Sequence, residues 1–109
     1  MKLPQDAIIA AEKLTLYLLQ WQPENDKSGF LARAGYELAN WQQLAMDLRQ
    51  QLLPLDAQLQ ETTRWGELHE IRGRLTGPNG VALRVVTTWM KEPQTTLTKF
   101  ITLFPDKRA

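Results

Sequence analysis

The chain has 109 residues, of which 43% are hydrophobic and 23% are charged, and its formal net charge is +1. This composition is typical of one ordinary globular domain, and it argues against disorder and against a strongly basic protein. Cys is absent and His occurs once, which excludes disulfide frameworks, thiol nucleophiles, Cys-containing metal sites and multi-His metal sites. We therefore expect no cofactor and no metal.

The first half of the chain, about residues 8–53, has helical periodicity. Its first apolar stripe is Leu14, Tyr17, Leu18 and Trp21, which predicts a helix from about Ala10 that ends before Pro23. A short second helix is predicted over Lys27–Ala34, ending at Gly35. A third begins at Asn40 as N-cap, with Gln43 completing a capping box, and ends at Pro54. Its stripe is Trp41, Leu44, Ala45, Leu48 and Leu52.

The second half, about residues 55–104, is typical of β-strands. The predicted strands are Leu55–Arg64, Leu68–Thr76, Val81–Met90 and Thr95–Phe104. Their three short connections indicate an antiparallel meander. The predicted fold is therefore α+β, a single domain over residues 1–109 in which three N-terminal helices pack on one face of a four-stranded antiparallel sheet.

The segment Gly77-Pro78-Asn79-Gly80 predicts the central hairpin. Pro and Asn suit the middle of a type I turn, and Gly80 suits the left-handed position of a G1 bulge. This loop sets Arg74 directly across from Arg84. A type I′ turn on Asn79-Gly80 would mix apolar and charged positions on each face, so the bulged register is preferred.

An arginine cluster on one sheet face is the sharpest chemical feature of that register. Arg72, Arg74 and Arg84 share this face with Glu70, and like charges placed directly opposite repel. A phosphate would relieve the repulsion, whereas the alternative is an ordinary solvated face. Glu70 could act as a base beside these arginines, or it could form a surface ion pair.

The remaining candidates depend on which face each side chain occupies. His69 could transfer protons, but the register directs it to the core beside Trp89, which favours a structural role. Thr102 joins the arginine face if Leu97, Ile101 and Leu103 face the helices. Trp21 and Trp41 are expected in the core, whereas Trp65 lies in a predicted turn, where it could stack on a base or pack over a loop.

Several motifs together resemble a family of small bacterial domains of unknown function that is frequent in cyanobacteria. The opening and helical motifs are Pro4, Ile8-Ile9, Glu12-Lys13-Leu14, Tyr17-Leu18-Leu19, Lys27-Ser28-Gly29-Phe30-Leu31 and Gly35-Tyr36. The strand motifs are Gly73, Leu75–Gly80, Val85–Trp89 and Ile101–Pro105. The resemblance covers nearly the whole chain.

That family is in turn similar to C-terminal toxin domains of the barnase, colicin and RelE-like RNase fold. The resemblance implies helices on one face of an antiparallel sheet and metal-independent RNA cleavage on the other. It implies phosphate contacts by Lys27 and the three arginines, and catalysis by Glu70, His69 or Thr102. Asn25 stands where the toxins have His, and Phe104 stands where they have Tyr, so two groups that could transfer protons are replaced.

Two functions follow as hypotheses. The first is a cytoplasmic nucleic-acid-binding or RNase-like domain, which lost catalytic groups would make degenerate. From Arg72 onward there are seven Lys or Arg against two Asp or Glu, which favours RNA as a partner. The second is a non-enzymatic protein-interaction or antitoxin-like domain, with a protein partner or a homodimer formed through an edge strand. No membrane-spanning segment is expected.

Overall fold

A four-stranded antiparallel sheet organises the computed structural model, which describes residues 1–108. The strands are β1 Gln58–Thr63, β2 Gly66–Thr76, β3 Ala82–Lys91 and β4 Thr98–Pro105. They follow one another in the order β1-β2-β3-β4. The predicted α+β class and the antiparallel meander are therefore confirmed.

The prediction of three clear helices is wrong. Only α2, Trp41–Asp47, reaches seven residues, while α1 is the five-residue Ser28–Ala32. In place of the first predicted helix, the structure has a π-helical segment, Lys13–Leu18. Another π-helical segment, Leu48–Leu52, continues α2. The helical stripes in the sequence thus belong to short pieces of differing geometry, which a single 3.6-residue period does not describe.

The first helical segment is π-helical and ends at Leu18, so Trp21 lies beyond it and is not in the core as expected. The Leu19 N–H donates to the Leu14 carbonyl at 2.9 Å, a bond that spans five residues and adds one residue to the turn. Leu14, Leu18 and Leu19 consequently share the buried face, whereas Tyr17 is 60% and Trp21 is 70% exposed. The apolar stripe predicted for the third helix agrees better with the structure. Leu44, Leu48 and Leu52 are buried, and the partly buried Trp41 packs against the core.

Asn40 is the N-cap residue of α2 as predicted, but its side chain makes no capping bond to α2, and the predicted box with Gln43 does not form. A single 3₁₀ turn, Leu38–Asn40, precedes α2, and Glu37 stands at its N-cap position. The Glu37 N–H donates to Asn40 Oδ1 at 2.8 Å, so Asn40 caps from three residues inside the turn. The prediction missed this turn because a three-residue helix leaves no periodic apolar pattern.

The central hairpin has the predicted register, pair by pair. Leu75 lies across from Leu83, and Arg74 lies across from Arg84. Gly80 has φ +88°, and the Gly77 N–H donates to the Val81 carbonyl at 3.0 Å, as the bulged loop requires. One face of the sheet therefore packs on the helices, and the other, which we call the open face, carries the arginines.

A β-bulge in β4 settles which of its residues join the open face. Thr102 pairs with Thr88 and Phe100 pairs with Trp89, which leaves Ile101 as the extra residue. Leu103 and Phe100 are buried, while Thr102 lies on the open face as predicted. Ile101 was expected toward the helices, but the bulge leaves it half-buried at the sheet edge.

The N-terminal segment spans the helix side of the sheet and reaches both of its edges. The Met1 carbonyl accepts a bond from the Ala57 N–H at 2.6 Å, just before β1. Ile8 pairs in parallel with β4, donating to Thr98 at 2.7 Å and accepting from Phe100 at 2.8 Å. None of the helices within residues 1–108 is long and apolar enough to cross a membrane.

Candidate nucleic-acid interface

Two arginines face each other on the open face without opposing charges. Arg74 and Arg84 form a directly opposite pair across β2 and β3, and both are exposed. Within residues 1–108, no ion pair or side-chain hydrogen bond holds either guanidinium. Their mutual repulsion is uncompensated in the protein itself, so an anion placed over the pair would lower the electrostatic free energy.

Arg72 is held differently, because two carboxylates engage its guanidinium. Its Nη2 lies 3.2 Å from Glu70 Oε1, and its Nη1 lies 3.1 Å from Asp106 Oδ1. The side chain is 29% exposed. Arg72 therefore contributes little unbalanced charge, and its main effect is to tie the end of β4 to β2.

Asp106 extends β4 and turns the chain that follows it. Its N–H donates to the Arg84 carbonyl at 2.9 Å, and its Oδ1 accepts from the Arg108 N–H at 3.1 Å. This backbone hydrogen bond from Arg108, with the positive charges of Arg72 and Arg108, lowers the pKa of the Asp106 carboxyl. The ionised carboxylate thus fixes Lys107 and Arg108 close to the sheet.

A shallow groove forms where the end of β4 faces the loop before α1; we call it the basic groove. Its cations are Lys27, Arg72, Lys107 and Arg108. Its other lining residues are Asn25, Asp26, Val86, Phe104, Pro105 and Asp106. Even when Glu70, the partner of Arg72, is counted with Asp26 and Asp106, four cations outnumber three carboxylates, so the groove keeps a net positive charge around Phe104.

Asp26 fixes the loop that presents Lys27 to the basic groove. Its Oδ1 accepts from Ser28 Oγ at 2.8 Å and from the Gln22 N–H at 3.0 Å. Its Oδ2 accepts from the Gly29 N–H at 3.3 Å. The Ser28 hydroxyl bond, supported by these N–H groups, lowers the pKa of Asp26. The Asp26 carboxylate therefore bonds to groups of its own loop and does not pair with Lys27. Lys27 has no ion-pair partner among the described residues.

The predicted phosphate and catalytic residues are brought together only in part. Lys27 and Arg72 line the basic groove. Lys27 also lines an adjoining depression, which contains Tyr17 and Thr102 and which we call the middle depression. Arg74 and Arg84 share the open face but line neither depression. Glu70 is on the open face as well, with 18% of its side chain exposed beside Arg72.

His69 is separated from all of them by the sheet. It is 1% exposed on the helix side, opposite Trp89, as the register predicted. Its Nε2 lies 3.2 Å from Glu67 Oε1, and its Nδ1 has no partner within the described residues. A ligand on the open face could therefore meet Glu70 and Thr102 but not His69.

Sequence reasoning missed the C-terminal cations as part of a site. Lys107 and Arg108 were counted in the charge of the second half, but no periodic pattern places residues beyond the last strand. Asn25 and Phe104 were named only through a resemblance, and both line the basic groove. Within residues 1–108, no three His, Asp or Glu side chains come together as a metal site would require.

Comparison with known proteins gives one match, to a family whose function is undefined. That family is described as a domain of unknown function, DUF6883, and it matches residues 2–107. No curated protein matches the chain. No solved structure matches it either. Any function must therefore be argued from the geometry of this chain.

Proposed function

We propose that this chain, which belongs to the DUF6883 family, is a nucleic-acid-binding domain that holds phosphate groups in the basic groove and over the arginine pair. The observation that carries the proposal is the convergence of Lys27, Lys107 and Arg108 around Phe104, next to Arg84, whose carbonyl accepts from the Asp106 N–H and which faces Arg74. Phosphate binding would balance this charge and release counterions from the nucleic acid.

The same geometry supports binding more strongly than cleavage. The resemblance to RNase toxins implies RNA contact on the face away from the helices, which is the face that carries the basic groove. Asn25 and Phe104 occupy that groove, and neither side chain can exchange a proton near neutral pH. Glu70 is the one predicted proton acceptor within reach of the open face, and Arg72 already binds its carboxylate at 3.2 Å. The proposed activity is thus binding, with RNA as the ligand.

A salt titration tests this proposal. Binding of a fluorescein-labelled RNA strand of about ten nucleotides is followed by anisotropy as the salt concentration is raised. With three phosphate contacts, the slope of log K against log salt is about −2 for a single strand. Lys107→Ala should reduce the magnitude of that slope by about 0.7, because one phosphate contact is lost.

Lys2→Ala provides the charge-matched control. Lys2 pairs with Asp56 beside β1, which is the edge strand at the opposite edge of the sheet from β4. Its removal should leave the slope unchanged. If no salt-sensitive RNA binding occurs even at low ionic strength, the proposal fails. If the RNA is cut, and Glu70→Gln abolishes the cutting, the domain is an RNase rather than a binding domain.

A second candidate function is protein interaction, and one observation favours it. Leu16, Tyr17 and Trp21 are 53%, 60% and 70% exposed on or just after the first helical segment. Neighbouring exposed apolar side chains of this size are typical of contact surfaces. Light scattering distinguishes the simplest case: a homodimer that Trp21→Ala converts to monomer would support it, and a monomeric wild-type chain would contradict it.

A further inference from the structure

Three depressions that share lining residues follow one another along β4, and we call them together the track. The basic groove meets the middle depression at Asn25 and Lys27. The middle depression meets a third one at Ile101, the bulge residue of β4. The third depression contains Arg64, Trp65, Met90 and Lys99, together with the loop Glu92–Thr95. The track therefore leads from Arg108 at one end of the sheet to Trp65 at the other.

Trp65 is exposed but firmly held. It lies in the turn between β1 and β2, where its N–H donates to Thr63 Oγ1 at 3.1 Å. Gly66 follows with φ +135°, and any Cβ there would overlap the Lys91 carbonyl, so the turn sits directly against β3. The indole nevertheless remains 68% exposed. Packing of the fold does not account for a large aromatic side chain on a braced turn.

A cation accompanies this indole. The Arg64 guanidinium lies 4.8 Å from the centroid of the Trp65 ring. The guanidinium lies over one face of the indole, so a flat partner would stack on the other face, and the cation would offset the negative charge of a nearby phosphate. The other two depressions also contain both an aromatic side chain and cations, with Tyr17 and Lys13 lining the middle depression and Phe104 lining the basic groove. This combination is typical of surfaces that bind single strands.

We infer that the nucleic acid is single-stranded RNA, which runs along β4 with its phosphates in the basic groove and a base stacked on Trp65. This inference rests on the proposed function. A base within a duplex has both faces covered by its neighbours, so only an unpaired base can stack on the indole. The track thus selects single strands over duplexes.

The length of the track sets a minimum length for the ligand. Arg72 lines the basic groove, and Gly66 follows Trp65 in the chain. These two residues are six positions apart on β2, which corresponds to about 20 Å along the strand. A stacked strand that rises about 3.4 Å per nucleotide needs about six nucleotides to cover it. Shorter RNA can occupy the basic groove but cannot also reach Trp65.

The test compares two exposed tryptophans with RNAs of two lengths. Trp65→Ala should weaken binding of a single strand of about ten nucleotides by about 5- to 150-fold, because one stacking contact is lost. Trp65→Phe should retain most of the affinity. Trp21→Ala is the matched control, since Trp21 is equally exposed and lines no part of the track. A strand of about three nucleotides, shorter than the track, should bind Trp65→Ala and wild type alike.

The outcomes separate this inference from the proposed function. If neither length of RNA binds, the proposed function itself fails. If the longer strand binds but Trp65→Ala and Trp21→Ala are indistinguishable, RNA binding stands and the track along β4 is refuted. Equal affinity for a duplex of matched sequence would also overturn the inference. Circular dichroism of each variant verifies that the fold is intact.

Discussion

The central hairpin loop is docked on the segment that follows α1, and Gly77 makes this docking possible. A Cβ at Gly77 would lie inside the closest approach of 3.0 Å that real Cβ atoms keep, against the carbonyl oxygen of Ala34. The Asn79 N–H donates to that same oxygen at 3.3 Å, and Asn79 Nδ2 donates to the Arg33 carbonyl at 3.1 Å. A methyl group at this position must therefore separate the two segments.

The cost of Gly77→Ala can be worked out from these contacts. Separation by about 1 Å would break both Asn79 hydrogen bonds, each of which contributes about 1 kcal/mol. Strain from overpacking adds about 1–3 kcal/mol, so we expect a loss of about 3–5 kcal/mol in the free energy of unfolding. With a urea m-value of about 1–3 kcal/mol/M, the midpoint of unfolding should fall by about 1–5 M.

Two other glycines serve as controls in the same urea experiment. Gly29 lies in α1, where a Cβ would meet only Asp26 Oδ2 at 3.7 Å, so Gly29→Ala should stabilise by up to about 1 kcal/mol. Gly80 has open space but a φ of +88°, so Gly80→Ala should cost about 1–2 kcal/mol. An unchanged midpoint for Gly77→Ala would refute the docking of the hairpin on Ala34.

Two further predictions concern a buried hydroxyl and an ionised carboxyl. Thr87→Val should cost about 1–3 kcal/mol in urea unfolding, because Thr87 Oγ1 donates to the Ile71 carbonyl at 3.0 Å and accepts from Trp89 Nε1 at 2.8 Å inside the core. The lowered pKa of Asp106 means that its contribution to stability is complete above its ordinary pKa of 3.8 and is lost as pH falls through the lower folded-state value. Melting temperatures between about pH 5 and pH 2 should therefore fall less steeply for Asp106→Asn than for wild type.

Each of these two predictions has its own contrary result. A Thr87→Val protein as stable as wild type would mean that the Trp89 N–H loses nothing when its acceptor is removed. Thr88→Val is a useful comparison, because Thr88 is also buried but faces the other side of the sheet. Parallel pH profiles for wild type and Asp106→Asn would show that the end of β4 does not depend on this carboxylate.

The hairpin was predictable from sequence because local chemistry and global packing agree there. The turn requires a left-handed residue at position 80, which glycine adopts without strain. The resulting register separates apolar from charged residues on β2 and β3. The first helical segment was not predictable in the same way. Its apolar residues fit a 3.6-residue period, but the bond from Leu19 to Leu14 selects a wider turn, and the segment ends at Leu18, which leaves Trp21 beyond it on the surface.

The candidate site was predictable as a face but not as a groove. The alternation of β2 placed Arg72 and Arg74 on one side, the hairpin register added Arg84 from β3, and the structure has all three there. The pairing of Arg72 with Asp106 joins residues 34 positions apart, and it depends on how the chain turns after β4. No periodicity or turn motif encodes that path, which is why Lys107 was absent from the predicted set.

The N-terminal segment also has a consequence for the order in which the parts of the fold assemble. The backbone partners of Ile8 are Thr98 and Phe100, which lie 90 and 92 positions further along the chain. Closing so long a loop costs entropy that a few hydrogen bonds recover only once β4 has joined the sheet. We therefore expect the meander, whose strands pair with their neighbours in sequence, to form before Ile8 docks on β4.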